Sequence, residues 1–338
     1  MGLVHVRRWL VASCGLLIVG CSAGYAVVPG SSGDGSSGGD GTSSGDDGSS
    51  GASSGASSGA SSGTSGGSST SGAPEPPKET KVGTITIVSA AYKVGTTPVE
   101  LGSAFGTFYR LPPSTTTTPS ACTTTTTGAC TVSTCTFGAS SPDGGTPSIA
   151  YTNAGTATVS GVLVNDGSMT LTPGGYGYQT VSGSVAFFKG GESVRISAPG
   201  NPSGAPAFAS SLTAPSSMIV TAPAFDTQSK VVVAGGQSLP VTWQSAAGGD
   251  VVVQVVSGTS SKSATARCAF PASGKQGVVP ASVLSSVYGV GAQTSVTISA
   301  ESRDVQKPGG WEVTVTLQAY GIRAGANGGI ASGVLQIN

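Results

Sequence analysis

The amino-acid sequence predicts an all-β fold of two β-sandwich domains that follow a disordered linker. After residue 81, short runs rich in Val, Ile and Thr alternate with Gly, Pro, Asn and Asp, a pattern typical of sandwiches and barrels. Helical periodicity is nearly absent from residues 82–338. Residues 29–72, in contrast, contain only Gly, Ser, Ala, Thr, Asp and Pro, and a segment without large apolar side chains cannot bury a core.

Residues 1–20 show the order of features that an export signal requires. Arg7 and Arg8 precede an apolar run over residues 10–20, and no acidic residue lies before that run. As a helix the run would span about 16 Å, whereas the hydrocarbon core of a membrane is about 30 Å thick. We therefore expect a signal peptide that is cleaved rather than a transmembrane helix.

The end of this segment, Ile18-Val19-Gly20-Cys21, resembles the lipobox of bacterial lipoproteins. The resemblance implies that the Cys21 thiol receives a diacylglyceryl group and that the peptide is cut before it, after which the new amino terminus is acylated. The expected partner is then membrane lipid, and the expected location is the bacterial envelope. In related enterobacterial lipoproteins an acidic residue after the cysteine signals retention at the inner membrane. Because Ser22 is not acidic, the resemblance implies the outer membrane. An ordinary secretory signal with an incidental cysteine is the alternative.

Residues 21–79 are expected to act as a disordered Gly/Ser/Pro-rich linker behind the lipidated cysteine. Units such as SSG and GASSG repeat along it, and a chain of this kind gains too little from burial to offset the entropy of ordering. As a coil it has an r.m.s. span of about 40 Å. Such a linker is long enough to hold a domain away from a membrane surface.

The strand predictions rest on β-branched runs that are bounded by turn residues. The clearest runs fall at residues 84–88, 156–164, 168–171, 193–197, 218–221, 230–233, 239–243, 250–256, 295–300, 311–319 and 333–337. Between two of them, Asn165-Asp166-Gly167 predicts a hairpin turn, because these residue types tolerate positive φ. Residues 280–287 predict one short helix, which Pro280 opens and in which Val283, Leu284 and Val287 share a face.

A domain boundary is suggested near residue 222, where Ala-Pro pairs bracket one strand. Residues 80–222 would form a Thr- and Cys-containing β domain, and residues 223–338 resemble an immunoglobulin-like sandwich in length and rhythm; a jelly-roll-like arrangement is also compatible. The immunoglobulin order of Cys, Trp, Cys is not kept, since Trp243 is followed only by Cys268. Trp243 and Trp311 are expected to be core residues of facing strands.

Four cysteines follow Cys21: Cys122, Cys130, Cys135 and Cys268. An even number in an exported chain predicts two disulfides, for which three pairings are possible. Because three of the cysteines crowd one loop-rich stretch, we expect one local bridge among them and a second bridge to Cys268. Zinc binding is the rival interpretation, although the spacings do not match paired zinc ligands and no histidine accompanies them.

The residue types that are missing limit the chemistry. The only histidine, His5, lies in the segment expected to be removed, so triad hydrolases and most zinc hydrolases are improbable. We predict no catalytic residue, metal or cofactor. Residues 82–338 hold eleven Lys and Arg against nine Asp and Glu, scattered singly, which argues against nucleic acid as a partner. Carboxylates that could act in pairs are few: Asp143, Asp166, Glu192, Asp226, Asp250, Glu301, Asp304 and Glu312.

Three classes of function remain. The leading one is a non-catalytic envelope module that binds a polysaccharide or protein or has a structural role. The alternatives are a carbohydrate-active enzyme with paired carboxylates and an envelope assembly subunit. Tyr176 and Tyr178 alternate between glycines, which would place both on one face, and we expect them to be ligand-stacking aromatics if they are exposed.

Overall fold

The computed structural model describes residues 79–94, 96–111, 121–136, 150–246, 248–259, 261–291, 293–325 and 328–338. The predicted signal peptide (residues 1–20), Cys21 and all of the predicted linker except Glu79 lie outside the described residues, as do His5 and Asp143.

The described residues form one α-helix, three short 3-10 helices and twenty-one strands. In the first half of the chain these are β1 (Thr80–Val94), β2 (Thr97–Leu111), β3 (Ala121–Thr127), β4 (Cys130–Thr136), β5 (Ala150–Thr152), β6 (Ala157–Ser160), β7 (Ser168–Leu171), β8 (Pro173–Gly174), β9 (Gly177–Gly183), β10 (Ser193–Ala198) and β11 (Phe208–Thr213). In the second half they are β12 (Ile219–Ala222), β13 (Lys230–Val233), β14 (Leu239–Gln244), β15 (Asp250–Gly258), β16 (Lys262–Pro271), β17 (Gln276–Val279), α1 (Ala281–Tyr288), β18 (Thr294–Gln306), β19 (Glu312–Tyr320), β20 (Ile322–Arg323) and β21 (Ser332–Ile337).

The all-β prediction is confirmed, and each of the eleven predicted runs overlaps a strand. The hairpin is confirmed as well: β6 and β7 pair antiparallel around Asn165, Asp166 and Gly167, which have φ values of 47°, 55° and 91°. The predicted helix forms as α1, and Val283, Leu284 and Val287 are its buried residues.

A 13-stranded sheet dominates the fold, in the order β3-β4-β16-β15-β18-β19-β1-β2-β9-β8, with β5 paired to β2, β21 paired to β18, and β13 paired to β21. β1 lies parallel to β19 and antiparallel to β2. β4 from the first half of the chain pairs with β16 from the second. Strands from residues 80–222 and from residues 223–338 therefore belong to the same sheet, and the suggested boundary at residue 222 does not separate two independent sheets.

Two smaller sheets complete the sandwich, in the orders β11-β10-β6-β7 and β17-β14-β12-β20. The first packs through Phe208 on Phe108 of the large sheet, with ring centroids 6.1 Å apart. The second packs through Trp243 on Phe270, with centroids 6.4 Å apart. Strand register places Phe108 and Phe270 on the same face of the large sheet. Both small sheets thus cover one face, and the opposite face is free of them.

Trp243 and Trp311 are core residues, as predicted, each with 2% of its surface exposed. The indole nitrogen of Trp243 donates a hydrogen bond to the backbone oxygen of Ala272 at 2.9 Å, which satisfies its polar group within the core. Trp311 packs on Phe108, with ring centroids 6.0 Å apart. Burial of a large apolar side chain of this kind contributes about 1.5–3 kcal/mol.

Two disulfides connect the three neighbouring strands β3, β4 and β16 at the edge of the large sheet. Cys122–Cys135 links β3 to β4 across 13 residues of sequence, and Cys130–Cys268 links β4 to β16 across 138. This is the predicted arrangement of one local bridge and one bridge to Cys268. Thr123 to Thr127 are all exposed, so β3 has little apolar packing of its own, and the bridges attach it covalently.

The two disulfides indicate an oxidising, exported environment, because cytosolic thiols are kept reduced. Within the part of the chain that the structure describes, no helix has the length and apolar character needed to cross a membrane.

Candidate ligand-binding face

The face of the large sheet that the small sheets leave free is here called the outer face. Side chains alternate along β2, so Gly102, Ala104, Gly106 and Phe108 are buried toward the small sheets. The intervening residues 101, 103, 105, 107 and 109 project from the outer face and are half-buried or exposed.

A trough with a volume of about 510 Å³ lies on the outer face. That volume falls within the range of small-molecule sites, which are mostly apolar with a few placed polar groups. Val88, Ala90 and Phe105 supply apolar lining from β1 and β2. The principal polar groups are Gln254 of β15 together with Gln318 and Tyr320 of β19.

The described residues that line the trough include hydroxyls and amides but no Asp, Glu, Lys or Arg. Ser103, Thr180, Ser182 and Thr297 provide the hydroxyls beside Tyr320. Burial raises the pKa of the Tyr320 phenol, and the nearby charge of Glu301 raises it further. The phenol is therefore a neutral hydrogen-bonding group over the whole physiological pH range.

A chain of hydrogen bonds holds Gln318 in place at one wall of the trough. Arg267 Nη2 lies 2.8 Å from Glu301 Oε2, and Ser299 Oγ donates to Glu301 Oε1 at 3.1 Å. Gln318 Nε2 in turn donates to Ser299 Oγ at 3.0 Å. Because one of its amide hydrogens is engaged in this way, the Gln318 side chain is oriented before any ligand arrives.

A second group of aromatic residues, the tyrosine cluster of Tyr109, Tyr151 and Tyr176, lies toward the other end of β2. Tyr109 and Tyr151 are direct partners in the pairing of β2 with β5. The rings of Tyr151 and Tyr176 meet edge to face with centroids 4.9 Å apart, and Tyr176 is 66% exposed. Burial raises the pKa of Tyr151, and Tyr176 adds to the effect.

The expectation that Tyr176 and Tyr178 share an exposed face is wrong. Tyr178 is 6% exposed and packs edge to face on Phe108 at 5.6 Å, and burial raises its pKa to about 12. Gly177 between the two tyrosines has a φ of +137°, which interrupts strand alternation. Tyr176 stays a candidate for ligand stacking, whereas Tyr178 is a core residue.

Most of the candidate carboxylates serve local structure. Glu192 accepts hydrogen bonds from the backbone nitrogens of Lys189 and Gly190, and Asp226 accepts them from Gln228 and Lys230.

Asp304 accepts hydrogen bonds from the Ser210 hydroxyl and the Gln306 amide. Asp166 lies in the β6–β7 turn, and Glu312 begins β19.

Asp250 and Glu301 are the two candidates that strand pairing brings side by side among the described residues. Glu301 is engaged by Arg267 and Ser299. In the described part of the chain, no group of three or more His, Cys, Asp or Glu side chains is arranged to hold a metal ion.

Sequence reasoning did not single out Gln254, Gln318 or Tyr320. The alternation of Glu312, Thr314, Thr316, Gln318 and Tyr320 with apolar residues was a usable signal, because it marks a polar face along a strand.

Comparison with protein-family models, curated proteins and solved structures found no match to this chain.

Proposed function

We propose that this chain is an exported, lipid-anchored envelope protein whose outer face binds a neutral polysaccharide without cleaving it. The observation that carries the binding proposal is the trough, whose lining combines apolar surface with amides and hydroxyls and includes no charged side chain among the described residues.

The lining suits sugar because a pyranose ring has an apolar C–H face and a rim of hydroxyl groups. The C–H face can pack on Phe105, Val88 and the ring of Tyr320. Sugar hydroxyls can pair with the amides of Gln254 and Gln318, each of which offers both a donor and an acceptor. A charged ligand would meet no counter-charge in this lining and would lose hydration without compensation.

The placement of the acids supports binding rather than hydrolysis. A glycosidase of the usual type needs two carboxyl groups facing one bond, one of them free to donate a proton. Glu301 is paired with Arg267 at 2.8 Å and receives the Ser299 hydroxyl, and the trough lining contains no acid among the described residues. The carbohydrate-active enzyme is therefore the less favoured proposal.

The anchoring proposal rests on the lipobox at residues 18–21 and on the two disulfides that indicate export. Acyl chains contribute about 0.8 kcal/mol per buried CH₂ group, and two or more chains give a stable anchor. A Gly/Ser linker after Cys21 would let the sandwich bind a polysaccharide that lies about 40 Å from the membrane.

The test is binding of the purified full-length lipoprotein to an array of neutral and acidic polysaccharides. We expect binding to neutral glycans, and Gln318→Ala should weaken it by about tenfold, a loss typical of a well-placed contact. Val232→Ala is the matched control, since Val232 is 56% exposed on β13, away from the trough.

Binding confined to acidic glycans, or equal binding by Gln318→Ala, would contradict the proposal. An assay for new reducing ends on the bound glycan distinguishes the two functions: their release would favour the enzyme.

A further inference from the structure

The tyrosine cluster lies on the same face of the sheet as the trough. Partners in an antiparallel pair project from one face, so Tyr151 shares the face of Tyr109. Strand alternation then places Tyr109 on the side of Phe105 and Leu101, both of which line the trough. The trough and the tyrosine cluster are thus two parts of one surface.

The two parts are separated along the strand direction. Leu101 and Tyr109 are eight residues apart on β2, which corresponds to about 26 Å of strand. Phe105, at the near end of the trough, is four residues and about 13 Å from Tyr109. A monosaccharide or disaccharide in the trough could not touch the tyrosine cluster, whereas an extended chain laid along β2 would reach it.

The surface between them is lined by hydroxyl groups. Thr107 of β2 pairs with Thr84 of β1, and Phe105 pairs with Thr86. Thr84, Thr86 and Thr107 are half-buried, and strand alternation directs their side chains to the outer face. No charged side chain projects from β1 or β2 in these described rows of the sheet.

The exposed tyrosine is held in position. Tyr176 is 66% exposed, yet its ring is fixed edge to face with Tyr151 at 4.9 Å, and its backbone oxygen accepts a hydrogen bond from Phe108 at 3.3 Å. A positioned aromatic ring loses little conformational entropy when a ligand binds, which is why tyrosine is common in binding surfaces.

We propose that the tyrosine cluster is a second stacking subsite, so that the ligand is a linear neutral glycan several sugar units long that runs along β2 from the trough to Tyr176. This inference rests on the proposed binding of neutral glycan by the trough and specifies its chain length and direction. It predicts that affinity grows with chain length until the ligand spans both subsites.

The test is calorimetric titration of the full-length protein with xylo-, manno- and cello-oligosaccharides, each from disaccharide to octasaccharide. For the wild type we expect the octasaccharide to bind more tightly than the disaccharide by about tenfold or more. Tyr176→Ala should lose that gain and leave disaccharide binding unchanged. Tyr176→Phe keeps the aromatic ring and should keep the gain in affinity with chain length. Gln318→Ala should weaken the binding of ligands of every length.

The outcomes separate the two proposals. Binding that is weakened by Gln318→Ala but is independent of chain length and unaffected by Tyr176→Ala would overturn the second subsite and leave the trough in place. No binding of any neutral oligosaccharide or polysaccharide would overturn the proposed function and the second subsite together.

Discussion

Arg267 on β16 reaches across β15 to Glu301 on β18, where its Nη2 atom lies 2.8 Å from the Glu301 carboxylate. The two side chains differ in exposure: 34% of the Arg267 side chain is accessible, against 11% of Glu301. The pair also supports the trough, since Glu301 accepts a hydrogen bond from Ser299, and Ser299 accepts one from Gln318.

Replacement of Arg267 should therefore cost more stability than neutralisation of Glu301. Arg267→Ala removes the ion-pair partner of a nearly buried carboxylate, and we expect a loss of about 1–3 kcal/mol in the free energy of unfolding. Glu301→Gln keeps acceptors for Arg267 and Ser299, and Arg267 is exposed enough to be hydrated, so a smaller loss is expected. Urea denaturation of both variants measures the difference, and an equal or larger loss in Glu301→Gln would contradict it.

The two disulfides should contribute unequally to stability. A bridge constrains the unfolded chain more when it closes a longer loop, and the two bridges span 138 and 13 residues. Removal of the Cys130–Cys268 bridge by double alanine substitution should cost about 5 kcal/mol, against about 3 kcal/mol for the Cys122–Cys135 bridge. Denaturant unfolding under non-reducing conditions compares the variants, each serving as control for the other, and the reverse order would refute the prediction.

Tyr178 should make the fold sensitive to alkaline pH. Burial raises its pKa to about 12, so the folded state prefers the neutral phenol. The corresponding stabilisation is complete below the ordinary tyrosine pKa of about 10 and is lost as the pH rises through the folded value.

We expect Tyr178→Phe to lose less stability than the wild type between about pH 9 and pH 11. Urea midpoints at the two pH values provide the measurement, with Tyr176→Phe as the matched control, because Tyr176 is largely exposed. Parallel losses in the wild type and Tyr178→Phe would show that another group is responsible.

The proposed lipid anchor gives a prediction that does not depend on the proposed binding face. Cys21→Ala removes the thiol that the proposed acylation requires, so the variant should move from the membrane fraction to the soluble exported fraction. Mass spectrometry of the wild-type protein should show an amino-terminal acylated Cys21. A variant that stays with the membrane as firmly as the wild type, or a wild-type chain that retains Met1, would contradict the anchor.

The sequence predicted strands well where β-branched residues alternate and missed them where small residues fill the core. β2 was missed because Gly102 and Gly106 interrupt its pattern. A Cβ atom at Gly102 would lie 2.2 Å from the ring of Phe187, and one at Gly106 would lie 2.8 Å from the ring of Tyr178. These glycines are required by close packing against large rings, which local sequence does not reveal.

The sequence could not predict that strands from both halves of the chain lie in one sheet, and the reason is different. The parallel pairing of β1 with β19 joins strands more than two hundred residues apart, and strand propensity carries no information about such distant partners. The trough depends on this pairing, because it brings Val88 of β1 beside Gln318 of β19. The polar alternation of β19 was readable in the sequence, but its apolar neighbours across the sheet were not.

The central claim, that the outer face of the large sheet holds a neutral glycan, is tested most directly by nuclear magnetic resonance of the side-chain amides. On titration with the tightest-binding neutral glycan of the array, the signals of Gln254 and Gln318 should shift while those of Gln228 and Gln336, which do not line the trough, stay unchanged. Shifts confined to amides away from the trough, with Gln254 and Gln318 unaffected, would contradict the account.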